Sequence, residues 1–318
     1  MDRTKKHAFS NKKDRKRNSY YLRENLELYS LFLPAAVLII LFCYIPMWGV
    51  VIAFQDYLAG NSLFALDGSV QWVGLKHFKR FISSIYFNRL IGNTLRLSAL
   101  DLIFGFTTPI VFALLLNEIN KQRYKKFVQT ASYLPYFIST VVAAGMMLSF
   151  IEVNGVFNII LGVFGIPAKE YIAYPEYYPV IYTIVNVWKS FGFNSILYFS
   201  TISSIDPVLY ESAKIDGATR WQQMWHITLP GIKFIIAVQL VLQIGRVLDT
   251  NTDLALLLYR SSTYSTSDVI GTYIYREGIQ GGKYSYTTAV GLFMSLIGFI
   301  LTFITNKISN KLTGYGMW

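Results

Sequence analysis

Two sets of polar side chains recur at helical spacing inside stretches that are otherwise apolar. Gln239, Gln243, Arg246 and Thr250 are separated by four, three and four residues, which puts them on one face if the segment is a single helix. Asn186, Lys189, Ser190 and Asn194 form the second set, beside Trp188 and Phe193. Amides both donate and accept hydrogen bonds, so they suit a ligand rich in hydroxyls. The Arg246 guanidinium matches the fork of a carboxylate, and Lys189 supplies a point charge. Competing readings stand beside these. Asp249 and Asp253 lie three and seven residues after Arg246, where an internal ion pair is as good a use of the charge. Lys189 can snorkel or pair with one of those acids, and Asn186 and Asn194 can bond neighbouring helices. Arg96 and Asp101 are expected to be interfacial.

Other chemistries find little support. Asp249, Asp253 and Asp268 are dispersed, as are His7, His77 and His226, so neither acid/base catalysis nor a metal site is expected. Cys43 is the only cysteine, which excludes an internal disulfide and a cysteine zinc cluster. No G-x-x-x-x-G-K-[ST] phosphate loop is present. The GGK at 281–283 lacks both the upstream glycine and the following Ser or Thr.

The elements that position these residues are membrane helices. The chain of 318 residues is 53% hydrophobic and only 15% charged, with runs long enough to cross a hydrocarbon core. Hydropathy predicts six spans at about 31–54, 93–116, 127–151, 179–202, 232–256 and 287–306. Pro34, Pro46, Pro109 and Pro135 are compatible with helices buried in a bundle. Residues 1–30 form a basic arm, in which Arg3, Lys5, Lys6, Lys12, Lys13, Arg15, Lys16, Arg17 and Arg23 precede the first span. Such an arm belongs in the cytoplasm against anionic lipid, not on nucleic acid. No cleavage site follows the first apolar run, so it is expected to remain as a span. Basic residues in 117–126 and in the tail 307–318 agree with both termini being cytoplasmic. The loop 55–92 fits less well, because Lys76, Lys79, Arg80 and Arg89 fall on the outside; its apolar periodicity suits an interfacial helix.

Between spans four and five, in the loop 203–231, lies YESAKIDGATRWQQMWHITLP, residues 210–230. Asp206 followed by Pro207 is a helix start. Gly217 either interrupts the helix after Asp216 or lets Asp216 cap a second short helix through Trp225, and Pro230 helps end it. Ser212, Ala213, Gly217 and Ala218 are small and admit close approach of another surface, with Glu211 and Asp216 available to basic groups. A structural turn packed on its own bundle fits these facts equally well.

Glu211-Ser212-Ala213, Asp216-Gly217-Ala218 and Ile227-Thr228-Leu229-Pro230 resemble the EAA motif of permease subunits of binding-protein-dependent ABC importers, with Ser212 replacing the usual Ala. LLLNEI at 114–119, KKFVQTASYLPYFIST at 125–140, VWKSFGFNSILY at 187–198, SDVIGTYIYREG at 267–278 and YSYTTAVGLFMS at 284–295 resemble the oligosaccharide-importing subgroup. The resemblance implies an all-α integral membrane protein with the six-helix, MetI-like fold of type I importers, spanning 31–306 in a bacterial plasma membrane. It implies a second homologous permease, two ABC ATPase subunits and an extracellular sugar-binding lipoprotein as partners. ATP and Mg would be bound by the ATPases and no cofactor by this chain. Glu211, Ser212, Ala213, Asp216, Gly217 and Ala218 would dock on an ATPase. Asn186, Trp188, Lys189, Phe193, Asn194, Gln239, Gln243 and Arg246 then become candidates for the path of an oligosaccharide, acidic in the subgroup's usual case. Tyr273, Tyr275 and Arg276 are weaker candidates for meeting the binding protein. A gradient-driven transporter and a membrane-embedded transferase are the rival classes. The first often shows an internal repeat, and 210–230 has no second copy.

Overall fold

The computed structural model describes residues 25–26, 28–60 and 70–314. The basic residues of the expected N-terminal arm lie outside the described residues. Helix α1, Leu28–Phe54, is followed by α2, Lys76–Ile82, and by α3, Phe87–Asn117, a helix of 31 residues with a π-helical turn at Asp101–Gly105. Helix α4 is Gln122–Tyr133, α5 is Thr140–Ile151 and α6 is the unbroken Tyr178–Ser203. Helices α7, Pro207–Ile215, and α8, Arg220–Gly231, make up the polar loop. Helix α9, Lys233–Gly245, follows α8 after a 60° bend, then come α10, Thr252–Leu258, α11, Ile270–Ile274, and α12, Tyr284–Thr313. The strands Gln55–Asp56 and Gln71–Trp72 pair antiparallel in the loop before α2.

Four helices are long and apolar enough to cross a membrane, and a fifth crossing results if α8 and α9 form one bent span. Helix α6 has the length, at 26 residues, but its amides, Lys189 and tyrosines dilute its hydropathy. Helix α1 is almost wholly exposed, with Leu31 at 80%, as suits a surface against hydrocarbon.

Two expected spans are interrupted. In place of 127–151, α4 stops at Tyr133, a 3₁₀ turn runs through Leu134–Phe137, and α5 restarts with the Ser139 hydroxyl accepting from the Val142 amide. Pro135 has no N–H to continue the ladder, and the capping serine starts a new helix. The apolar stretch then extends past Ile151 to Val163, inside the expected loop 152–178. In place of 232–256, α9 ends at Gly245 and α10 begins after Asn251, whose side chain accepts from the Leu254 amide. Thr250 therefore does not continue the helical face of Gln239 and Gln243.

Lipid offers no hydrophobic drive between helices, so close packing and polar contacts hold the bundle. Gly192 of α6 crosses α4 so closely that a side-chain carbon there would overlap the Ser132 carbonyl. Gly245 and Gly298 let α9 and α12 meet backbone to backbone. One core unites Tyr178, Tyr182 and Val185 of α6 with Ala143 and Ala144 of α5 and Leu254 and Leu258 of α10. A second packs Phe81 of α2 and Leu90 of α3 against Tyr273, Tyr286 and Val290. Helix α2 thus buries Phe81 and His77 within the fold and does not merely lie along an interface. Two of its three charges have partners: Lys76 Nζ is 2.6 Å from Asp56, and the Arg80 guanidinium lies over the Tyr286 ring.

Candidate functional site: adjoining polar cavities and a capped loop

Between α3, α6 and α9 lie two cavities of about 380 and 590 Å³ that share Gln243 and Arg246. The first is lined by Asp101, Tyr182, Asn186, Asp249 and Thr250 among others, the second by Phe193, Asn194 and Gln239. A third, of about 440 Å³, also reaches Arg246, from the side of α12. Arg246 is the first residue past the end of α9, so the break in the fifth expected span puts its guanidinium where the cavities meet. It is exposed, and among the described residues neither Asp249 nor Asp253 forms an ion pair with it. The internal pairing weighed from the sequence is absent there.

A polar network ties the first cavity together. Asn186 Nδ2 and Gln243 Nε2 donate to the two oxygens of Asp101, at 2.8 and 2.6 Å. Asn251 Nδ2 donates to Asn186 Oδ1 at 3.1 Å, and its backbone amide donates to the Tyr182 hydroxyl at 2.9 Å. Asp101 therefore sits in the interior of α3, not at its interfacial end. Tyr182 and Asn251 also escape sequence reasoning. The available signal was a lone acid amid an apolar run, since acids at membrane depth turn inward to partners.

The remaining path candidates separate. Lys189 lies beside the second cavity: its ammonium is 5.6 Å from the centre of the Tyr136 ring, which stacks on Phe193 at 3.9 Å. Trp188 points elsewhere, into an apolar groove on the outer face of α3 and α6 with Phe104 and Phe191. The structure does not bring Trp188 to the polar cavities.

The 203–231 loop is built as a helical hairpin. The Asp206 side chain accepts from the Val208 amide to start α7, and Gly217 at φ 78° ends it in the left-handed region that glycine reaches without strain. Thr219, not Asp216, caps α8 through a box with Gln222. Helix α8 then runs on to Gly231, beyond Trp225. Tyr210 and Thr228 hydroxyls meet at 2.9 Å and close the hairpin. Glu211, Ser212, Asp216 and Gly217 are exposed, while Ala213 and Ala218 are half-buried and joined by an Ala218 N–H to Ala213 carbonyl bond of 2.8 Å. Val208, Ile215 and Trp221 expose apolar surface on the same hairpin, Ile215 at 88%.

At the opposite end of α6 a buried carboxylate organises the chain. Asp268 is fully buried and receives Arg276 and Arg89, the latter at 2.7 Å. Thr266 Oγ1 donates to the Pro175 carbonyl at 2.6 Å, tying this cluster to the residues before α6. Burial disfavours the Arg276 charge, but the bonds and charge of Asp268 outweigh it and raise its pKa above the ordinary value. Tyr273 is buried at this cluster, so it offers no surface to a partner.

A bundle of long apolar helices enclosing polar cavities, with a capped polar hairpin at one end, defines a permease. Residues 105–314 match the family described as binding-protein-dependent transport system inner membrane component, and the chain belongs to that family. It is 40% identical over 308 residues to the polygalacturonan/rhamnogalacturonan transport system permease protein YteP of Bacillus subtilis strain 168, covering 96% of this chain and 95% of the relative. It is 38% identical to protein LplB of the same organism, covering 93% and 92%. The crystal structure of a bacterial ABC transporter involved in the import of the acidic polysaccharide alginate has a chain with a TM-score of 0.83 and 41% identity, covering 93% of this chain and 99% of that one. A bacterial alginate ABC transporter in complex with an alginate pentasaccharide-bound periplasmic protein gives 0.84 and 40%, covering 94% and 99%. The chain is a multi-pass permease subunit of an ABC importer. It is a transporter, not an enzyme, and neither rival class is supported.

Proposed function

We propose that this permease passes acidic oligosaccharides from an extracellular sugar-binding lipoprotein to the cytoplasm, through the cavities that meet at Arg246. The observation that carries the reading is an arginine exposed to those cavities with no carboxylate paired to it among the described residues. Gln239, Gln243 and Asn194 supply amides for sugar hydroxyls, and Phe193 a ring face. The named specificities of YteP and of the alginate importers support a uronate-bearing sugar.

In this reading the chain crosses a bacterial plasma membrane six times, with both termini cytoplasmic and the basic arm against lipid headgroups. It pairs with a second homologous permease and with two ATPases that bind ATP and Mg; this chain binds no cofactor. The exposed hairpin carrying Glu211, Ser212, Asp216 and Gly217 docks on an ATPase, with Ala213 and Ala218 keeping it compact. ATP closes the ATPases and turns the cavity outward, a docked binding protein releases its sugar, and hydrolysis resets the cavity inward.

The test is ATP-driven uptake by the reconstituted importer of an acidic oligosaccharide and of the same sugar with its carboxyls reduced. A charge-assisted hydrogen bond of about 1.5–3 kcal/mol predicts preference for the acid by about 10-fold or more. Arg246→Gln removes that preference. Equal uptake of both sugars by wild type overturns the reading.

A further inference from the structure

We propose that Asp101 is a positioning residue that fixes which end of the Gln243 amide faces the sugar. This rests on the cavities being the sugar path. An ionised carboxylate only accepts hydrogen bonds, so both amides that reach Asp101 must turn their NH₂ groups toward it. Gln243 Nε2 does so at 2.6 Å and Asn186 Nδ2 at 2.8 Å. Asn186 then gives its carbonyl oxygen to Asn251. The Gln243 carbonyl oxygen takes no hydrogen bond among the described residues, and Gln243 lines both cavities. It is left to accept from a bound hydroxyl.

The local backbone is built for this. Asp101 begins the π-helical turn of α3, a feature that recurs at functional sites. A side-chain carbon at Gly105 would collide with the Asp101 carboxylate, so glycine there leaves it room. Gly105 also lines the second cavity. The partners come from α6 and α9, so a single acid sets the polarity of amides on two other helices.

The consequence is a polarity filter. An acceptor facing the cavity rewards a sugar hydroxyl and gains nothing from a methyl ether, which cannot donate. Asp101→Asn can instead donate to the Gln243 carbonyl and turn that amide over. A hydroxyl and a methyl ether can then both accept from its NH₂, and the preference disappears.

The experiment measures equilibrium binding of trigalacturonate, and of its ring O-methylated counterpart, to the complete importer in nanodiscs with ATP hydrolysis blocked. One net hydrogen bond of about 1 kcal/mol predicts a preference of about 5-fold for the free hydroxyls in wild type. Asp101→Asn is expected to bring that ratio close to one with the complex intact. Asp101→Ser, whose hydroxyl dictates neither orientation, is expected to do the same and serves if the Asn variant does not assemble. Asp101→Asn with Gln243→Glu presents an acceptor again and is expected to restore the preference. A wild-type ratio in both single variants overturns the proposal, even if binding weakens overall. Arg246→Gln is measured in parallel and tests the cavity as the sugar path. Weakened binding there with an unchanged ratio in the Asp101 variants removes this inference alone, and no binding to wild type removes both.

Discussion

Arg276 grips Asp268 as a fork, with Nη1 and Nη2 each 3.0 Å from one carboxylate oxygen. The acid is fully buried and also receives Arg89 and the Thr272 hydroxyl, so it joins α3 to the segment around α11. Removing the acid leaves two half-buried arginines without their partner, which costs about 1–3 kcal/mol. Asp268→Ala is therefore expected to lower the thermal midpoint of the purified importer markedly. Arg276→Lys, which keeps the charge and loses the fork, is expected to lower it less. An unchanged midpoint for Asp268→Ala contradicts this assignment.

Gly192 makes the crossing of α4 and α6 testable. A side chain there overlaps the Ser132 backbone carbonyl, which belongs to a helix and cannot swing away. Overpacking of this kind costs about 1–3 kcal/mol, so Gly192→Val is expected to reduce the folded, monodisperse fraction in size-exclusion chromatography. Gly291→Ala, where nothing lies within 4 Å, is expected to behave as wild type.

The hairpin can be separated from the cavity by substitution at Gly217. Its φ of 78° and the open space around it make Gly217→Trp a change to the exposed surface and to the turn, remote from the core. In the proposed assembly, retention of an ATPase by the purified permease is expected to fall, with the proposed second permease still bound. Gly217→Asn tolerates the left-handed conformation and is expected to keep more of it. Equal retention by wild type and Gly217→Trp means that 210–230 is a structural turn.

Much of this arrangement is legible in the sequence where the cause is local. Asp206-Pro207 announces the start of α7, and Gly217 its end, because capping and a left-handed turn depend on single residues. The apolar runs place α1, α3, α6 and α12 within several residues, whereas the expected spans 127–151 and 232–256 are broken and the third apolar helix lies instead at Thr140–Val163. What escapes is decided by distant partners. The break after Gly245 exists because Asn251 caps a new helix and bonds Tyr182 and Asn186, and hydropathy does not register such bonds. Asp101 meets Asn186 and Gln243 across 85 and 142 residues of chain. Its role was therefore invisible to spacing on its own helix. Lys76, Arg80 and Arg89 looked misplaced for an outer loop because Asp56, Tyr286 and Asp268, their neighbours in space, are separated from them in sequence.

The most direct measurement is a cryo-EM structure of the complete importer with trigalacturonate bound and ATP hydrolysis blocked. A sugar carboxylate is expected within hydrogen-bond reach of the Arg246 guanidinium, with ring hydroxyls against Gln243 and Asn194. A sugar bound away from these residues, or Arg246 turned onto Asp249 with the sugar present, would contradict it.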